Sequence, residues 1–498
     1  MHADVIIVGA GFAGLGMGIR LRRDTQHSFL ILERADSVGG TWRDNTYPGV
    51  ACDIPSQLYS FSFRQKADWS RVFAPGAEIA GYLREAAADE GLLPSIHFGT
   101  ALESARWDAR QNLWRLTTSR GPYTARVLIT AAGRLSEPRV PAIDGLESFT
   151  GRQFHTAEWN HDIDFAGQRV GVIGTGASAI QVVPQLVARG AEVVVFQRSA
   201  PYVVPRNDRA YEPDERARFA DHPHALDTAR ADYFAEAELG FEQKRHDSEA
   251  ARQHRSRAAA HLEAQVADPA LRELLTPDYE IGCKRVLISS DYYPAVASPH
   301  VTLEASPLER VSGDSAIAAS GRSYELDVLV FATGFETTEL PFARLIHGID
   351  GLSLASHWAA GMTAFASTAV HGFPNLFIID GPLASLGHNS AIVMIEAQID
   401  YILGALTDPR AVLEVSAAAE QEYCAELDRR SAQTVWVRGG CSSWYLDART
   451  GRQTLLWPGT AADFRATNGH FDPAPYAVPD TVQLDDANLD AAKLVSIR

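Results

Sequence analysis

Cysteine is scarce in this chain. There are four in 498 residues (Cys52, Cys283, Cys424, Cys441), and no two form a CxxC pair. That scatter argues against a disulfide framework, a structural metal site and a dithiol reductase centre, and it makes a reducing cytosol the expected setting. Positive charge is short as well. Lys and Arg number 45 against 62 Asp and Glu, a net charge of −17, which argues against nucleic acid or an anionic membrane surface as partner. No apolar run reaches the length of a membrane span, and the chain enters the core-type strand Val5-Ile6-Ile7-Val8 without the features of a signal peptide. The expectation is a cytoplasmic protein of two or three domains, a monomer or small homo-oligomer, with no metal.

Glycine, by contrast, is placed twice in the same grammar. The first fingerprint, Gly9-Ala10-Gly11-Phe12-Ala13-Gly14, follows Val5-Ile6-Ile7-Val8; the second, Gly174-Thr175-Gly176-Ala177-Ser178-Ala179, follows Val170-Gly171-Val172-Ile173. In such a strand-turn-helix the first Gly makes the tight turn and the second lets backbone approach a pyrophosphate. The third small residue keeps helix and strand close, and the helix N-terminus is the anion site. A lone copy is weak evidence. Two copies, each followed by a second β-run, point to two dinucleotides exchanging electrons. The residues 24 positions after each first Gly separate the ligands: Glu33 after Phe29-Leu30-Ile31-Leu32, and Arg198 after Val193-Val194-Val195-Phe196-Gln197. A carboxylate suits a free ribose 2′-OH, and a guanidinium with Ser199 beside it suits a 2′-phosphate. The first site is thus expected to take FAD and the second NADPH.

The repeat extends further. Val127-Leu128-Ile129-Thr130-Ala131-Ala132-Gly133 matches Val328-Leu329-Val330-Phe331-Ala332-Thr333-Gly334, each a buried strand closing on a small-residue turn that passes near cofactor. Pro138 to Gly145 reads as a crossing between domains, and the turn at Gly334 as the return. The expected class is α/β, with two Rossmann-like dinucleotide-binding domains and a helical insertion. The FAD domain occupies 1–145 and resumes at 336–498, and the NADP domain occupies 146–335. The insertion, about 208–280, is charged and alanine-rich; within it Asp268-Pro269 has the form of an N-cap followed by Pro at the first helical position. It serves either as a solvated spacer or as a roof over the site. A tail from about Asn468, rich in Asp, Pro and Ala, is expected along the surface or disordered.

Between the fingerprints, Phe149-Thr150-Gly151-Arg152-Gln153-Phe154-His155-Thr156-Ala157-Glu158-Trp159 fits FxGxxxHxxxW. This resembles the signature of type I Baeyer–Villiger monooxygenases, class B flavoprotein monooxygenases. Gly39-Gly40-Thr41-Trp42, continuing through Tyr47-Pro48-Gly49 to Asp53, is similar to that family's other motif. Lys284-Arg285 with Asp291-Tyr292-Tyr293 is similar to the segment bearing its active-site arginine; Ala332-Thr333-Gly334-Phe335 and Ser443-Trp444-Tyr445 extend the likeness over most of the chain. Two places depart from the pattern, Asn160 after the Trp and Arg43-Asp44-Asn45, and both bear on substrate range rather than chemistry.

The resemblance implies an NADPH- and O2-dependent enzyme that inserts oxygen beside a ketone carbonyl, giving an ester or lactone through a C4a-peroxyflavin. Arg285 is the expected catalytic residue, since a guanidinium with pKa above ~12 stabilises an anion without giving up a proton; Asp53 is expected to hold it. Gly40, Thr41, Trp42, Asn389 and Trp444 are expected around the flavin and substrate, with Asp380 at a strand end nearby. Gln181 is a candidate nicotinamide contact, Lys284 a phosphate contact, and His155 a conformational rather than acid–base residue. Leu383 to Leu386 are candidate pocket wall. Oxygenation of nitrogen or sulfur, or uncoupled NADPH oxidation, are the alternatives; Trp159 speaks for the ketone chemistry.

Overall fold

The computed structural model describes residues 1–477. His2–Val8 is fully apolar where it matters, with Val5, Ile6 and Ile7 at 0% exposure, so it lies in the middle of a parallel sheet covered on both faces. Phe29–Leu32 pairs with it on one side and Gly121–Thr130 on the other, both parallel. An antiparallel meander, Leu102–Asp108 and Leu113–Thr118, runs into Gly121–Thr130. The same strand also pairs in parallel with Leu376–Ile378, from the last third of the chain. This sheet is therefore built from two distant stretches of sequence.

The second sheet is wholly parallel, in the order Val301–Glu304, Glu192–Phe196, Arg169–Ile173, Val328–Phe331, Arg152–His155. In both sheets the fingerprint strand lies between its own second strand and the strand that closes on the small-residue turn. The two crossings lie side by side: Pro138 bridges Phe335 in antiparallel fashion, with Arg139 N donating to Gly334 O (2.9 Å) and Glu336 N to Glu137 O (3.0 Å).

The expected insertion folds as helices Pro213–Asp221, Pro223–Leu239, Glu249–Gln265 and Pro269–Leu274. Asp268 caps the last of these, accepting from Ala270 N, with Pro269 in the first turn. The insertion does not stand free as a spacer. Arg230 Nη1 donates to the carbonyls of Gln57 (2.9 Å) and Ser60 (2.8 Å), and Arg71 pairs with Asp208 at 2.8 Å, so it is clamped onto the first sheet's side of the molecule.

Two expectations change. Cys283 and Cys441 form a disulfide across 158 residues of sequence, their Cα atoms 6.2 Å apart. A pair so remote leaves no local spacing to recognise. The tail, moreover, begins packed rather than loose: Tyr476 is buried and shares a 2.6 Å hydrogen bond with Tyr401, and Tyr476–Ala477 pairs with Glu414–Val415. Its remainder, 478–498, lies outside the described residues. Among the described residues, no helix is long and apolar enough to cross a membrane.

Candidate active site

Close packing dictates the first cradle. A Cβ at Gly14 would lie 1.8 Å from the Gly9 carbonyl oxygen, and one at Gly9 (φ +107°) 2.5 Å from that of Ala131. Only glycine fits either place. Gly11 and Gly40 bring their backbones together, a Cβ at Gly40 lying 3.2 Å from the Gly11 Cα. Helix Phe12–Asp24 starts directly after Gly11 with no side-chain cap and no acid in its first turn, leaving its N–H groups free for an anion. Glu33, buried, accepts from Ala10 N (2.8 Å) and Ala35 N (2.9 Å) and pairs with Arg43 at 3.1 Å. Thr41 and Trp42 open the short helix Thr41–Asp44; Thr41 Oγ1 donates to Leu135 O (3.4 Å) and Trp42 Nε1 to the Tyr59 hydroxyl (3.2 Å).

Sequence reasoning missed Arg134. It follows the Ala131-Ala132-Gly133 turn, is buried, and pairs with Asp380, which takes a left-handed φ of +59°. Burial raises the Asp380 pKa. Arg134 Nη1 is buried and has no hydrogen-bond partner among the described residues, which leaves a donor for a ligand at the strand ends. Its position directly after the small-residue turn Ala131-Ala132-Gly133 was the available signal.

The second cradle repeats the design with more room. A Cβ at Gly174 (φ +107°) would meet Ala332 O at 2.6 Å, whereas one at Gly176 would meet nothing within 4 Å. Helix Ala177–Ala188 is also uncapped and free of acid in its first turn. Arg198 is exposed at the strand end. Beside it Lys284 Nζ donates to Ser199 Oγ (2.7 Å) and lies 4.7 Å from the Tyr279 ring centroid; burial and then the Arg198 charge lower its pKa. The adjacent Arg198 and Ser199 are thus joined by the distant Lys284, a set of donors suited to one anion. Ser178 stands beside the Tyr47 hydroxyl. Gln181 joins the two halves: it accepts from Tyr47 Oη (2.9 Å) and donates to Ala51 O (3.0 Å), so both ends of its amide are held by the segment that leads to Asp53. Thr333 Oγ1 donates to Arg139 O at the crossing, between the buried Ala332 and Gly334 at φ +79°.

Arg285 and Asp53 meet as the motifs suggested. Arg285 Nε and Nη2 both donate to Asp53 Oδ2, at 2.9 and 2.5 Å, with the side chains 31% and 28% exposed. The carboxylate raises the arginine pKa further, so the guanidinium is a fixed cation. The Tyr445 hydroxyl, buried and with its pKa raised by that burial, stands beside Arg285; the Ser443-Trp444-Tyr445 motif contains it without signalling a place in the site. Trp444, 41% exposed, packs on Tyr445 with ring centroids 4.5 Å apart. The disulfide ties these two loops together, since Cys283 precedes Arg285 by two residues and Cys441 precedes Tyr445 by four.

Asn389 donates to Glu238 of the insertion (2.7 Å) and accepts from Ser390 N (2.7 Å), while Ser390 caps helix Ala391–Leu406. It therefore fastens the insertion to the helix start. His155 is 1% exposed; its Nδ1 accepts from Ala157 N (3.1 Å), its ring meets Phe335 edge-on at 5.5 Å, and burial lowers its pKa. A neutral imidazole wedged at the domain return fits a positioning role.

The profile of the pyridine nucleotide-disulphide oxidoreductase family matches residues 6–254. A Baeyer-Villiger monooxygenase of Streptomyces coelicolor is 44% identical, over 96% of this chain and 93% of its own length. One of Pseudomonas aeruginosa is 41% identical, over 96% and 92%. Among solved structures, an oxidised steroid monooxygenase bound to NADP superposes with a TM-score of 0.81 at 33% identity, over 94% of this chain and 96% of that one. OTEMO in complex with FAD and NADP gives 0.82 at 26% identity, over 93% and 96%. With both cradles, the arginine between them and this likeness along nearly its whole length, the chain belongs to the Baeyer–Villiger monooxygenase family.

Proposed function

We infer that the chain holds FAD in the first cradle and NADPH in the second, and that it inserts one atom of O2 beside a ketone carbonyl to give an ester or lactone. The residues fit both groups. Glycine backbones leave room where any Cβ would intrude, two bare helix N-termini stand over that room, and Arg134 Nη1 offers an unused buried donor. Gly9, Gly11, Gly14, Glu33, Gly40, Thr41, Trp42 and Arg134 would hold FAD; Gly174, Thr175, Gly176, Ser178, Arg198, Ser199 and Lys284 would hold NADPH. Reduced by NADPH, the flavin supplies the activation of O2, and that chemistry is the cofactor's own.

What this chain adds is charge and shelter. Arg285 keeps a positive charge that no accessible pH removes, so it stabilises negative charge on oxygen without protonating it. Asp53 fixes the guanidinium by accepting two of its hydrogen bonds on one oxygen. The remaining N–H groups are available to the ketone oxygen as it gains charge, a preorganised contact typically worth about 10²–10³ in rate. Tyr445 and Trp444 wall the arginine on one side, and the insertion roofs it through Glu238 and Asn389. A cytoplasmic location is part of this proposal.

The Arg285–Asp53 pair carries the inference, because reducing a flavin needs only the two cradles. The test is a ketone panel with NADPH under air, with products identified by mass. Esters or lactones are expected; sulfoxides and N-oxides without any ester, or peroxide alone, would overturn it.

A further inference from the structure

Lys244 ends the short 3-10 turn Glu242–Lys244 of the insertion and is 5% exposed. No hydrogen bond or ion pair to its ammonium exists among the described residues, and the one charge that acts on it is the repelling Arg285. Its stem passes two glycines: a Cβ at Gly282 would lie 3.7 Å from Lys244 Cδ, and one at Gly387 3.6 Å from Lys244 Cε and 3.7 Å from the Trp436 ring. The side chain therefore runs from the Arg285 loop towards the segment that follows Leu383–Leu386, beneath Trp436. Leu383 to Leu386 are the segment expected from the sequence to wall the substrate pocket.

The groups around it are cationic or already engaged. Arg285 repels it from the front, and His254 and Arg257 lie on the insertion helix behind. His388, with 1% side-chain exposure, has both ring nitrogens buried and without a hydrogen-bond partner. A nearby carboxylate among the described residues, Glu238, accepts from Asn389 Nδ2 and from Ala461 N and Ala462 N, and stands 3.7 Å from His388 Nε2. It faces His388 and makes no ion pair with Lys244. A buried ammonium without a partner is costly, and a ligand carrying negative charge removes that cost.

We propose that Lys244, with His388 beside it, forms an anion subsite in the substrate pocket, so that the preferred substrates are ketones bearing a carboxylate. This rests on the oxygenation inferred above and deepens it to a substrate class. Burial and the Arg285 charge lower the Lys244 pKa to about 8. The ammonium is thus present below that pH and fades above it, and the preference for acids should fade with it. His254, held to about 4, stays neutral across that range.

The test compares oxo acids of graded length with their methyl esters, which differ mainly in charge, using the holoenzyme with FAD and NADPH. Wild type should favour the acids in kcat/KM. Lys244→Gln should lower the acid-to-ester ratio about 10- to 100-fold, chiefly through KM, as expected for losing a charged hydrogen bond. Lys244→Arg should restore most of it. Binding is read separately from turnover: oxo acids should raise the Tm of the oxidised holoenzyme, and of wild type more than Lys244→Gln. Lys244→Gln itself should not lower Tm, because it removes a desolvated charge. Esters preferred over acids by wild type, an acid preference intact in Lys244→Gln, or a raised NADPH KM as that variant's main effect would each overturn the proposal. Acid binding without ester product would overturn the oxygenation and leave the subsite standing.

Discussion

At Gly14 a Cβ would lie 1.8 Å from a carbonyl oxygen; at the matched place in the second unit Ala179 carries a Cβ, fully buried and without conflict. The recognition residues differ in the same sense. Glu33 is buried in a lattice of backbone donors, whereas Arg198 stands exposed at its strand end, completed by Ser199 and by Lys284 from another part of the chain. One unit has helix, turn and strand at the limit of contact with its polar partner sealed inside. The other has slack and an open electrostatic clamp. That contrast suits a resident cofactor on one side and a co-substrate that comes and goes on the other.

The sharpest way to break the comparison is to make the units alike. Gly14→Ala should abolish FAD retention, since the added methyl collides with backbone rather than with a yielding side chain; the flavin absorbance of purified protein reports it. Next in size is Arg285→Ala, which should cut ester formation by at least about 10²-fold while bound flavin persists, measured as product per NADPH consumed. Arg198→Ala should raise the KM for NADPH by the equivalent of about 1.5–3 kcal/mol and leave NADH nearly unaffected. Equal effects on both coenzymes would show that the arginine does not face a 2′-phosphate. Removing the Cys283–Cys441 tie, by Cys283→Ser or by a thiol reductant, should lower stability by about 2–4 kcal/mol, read as a fall in Tm. The smallest effect belongs to Ala179→Gly: a loss of about 0.5–1 kcal/mol from a helix interior, with the NADPH KM hardly moved.

The two cradles were legible because the demand is local. A tight turn, a backbone approach and a charge at the second strand's end all leave marks at fixed spacing, and the structure places Gly9, Gly174, Glu33 and Arg198 accordingly. The Arg285–Asp53 pair spans 232 residues and became visible only through family motifs on both sides. What stayed hidden was long-range and without a motif. Arg134 and Asp380 are 246 positions apart and meet because the chain returns to complete the first sheet. The bonds from Gln181 to Tyr47 and Ala51, 134 and 130 positions away, likewise left no mark in the sequence. Lys244 gave no sign in sequence, where it is one cation in a charged helical segment; only burial between two glycines sets it apart.

The paired crossing at Pro138 and Phe335 has a mechanical consequence. The two nucleotide halves are joined by two antiparallel segments hydrogen-bonded to each other, not by a single tether. Such a ribbon resists shear and stretching but yields to twist, much as a strip of leather does. The motion it permits most easily is a swivel about its own length, with His155 and Phe335 seated edge to face at the pivot. The angle between the halves then behaves as nearly one coordinate. A bulkier or smaller ring at 335 would shift the resting angle through its contact with His155.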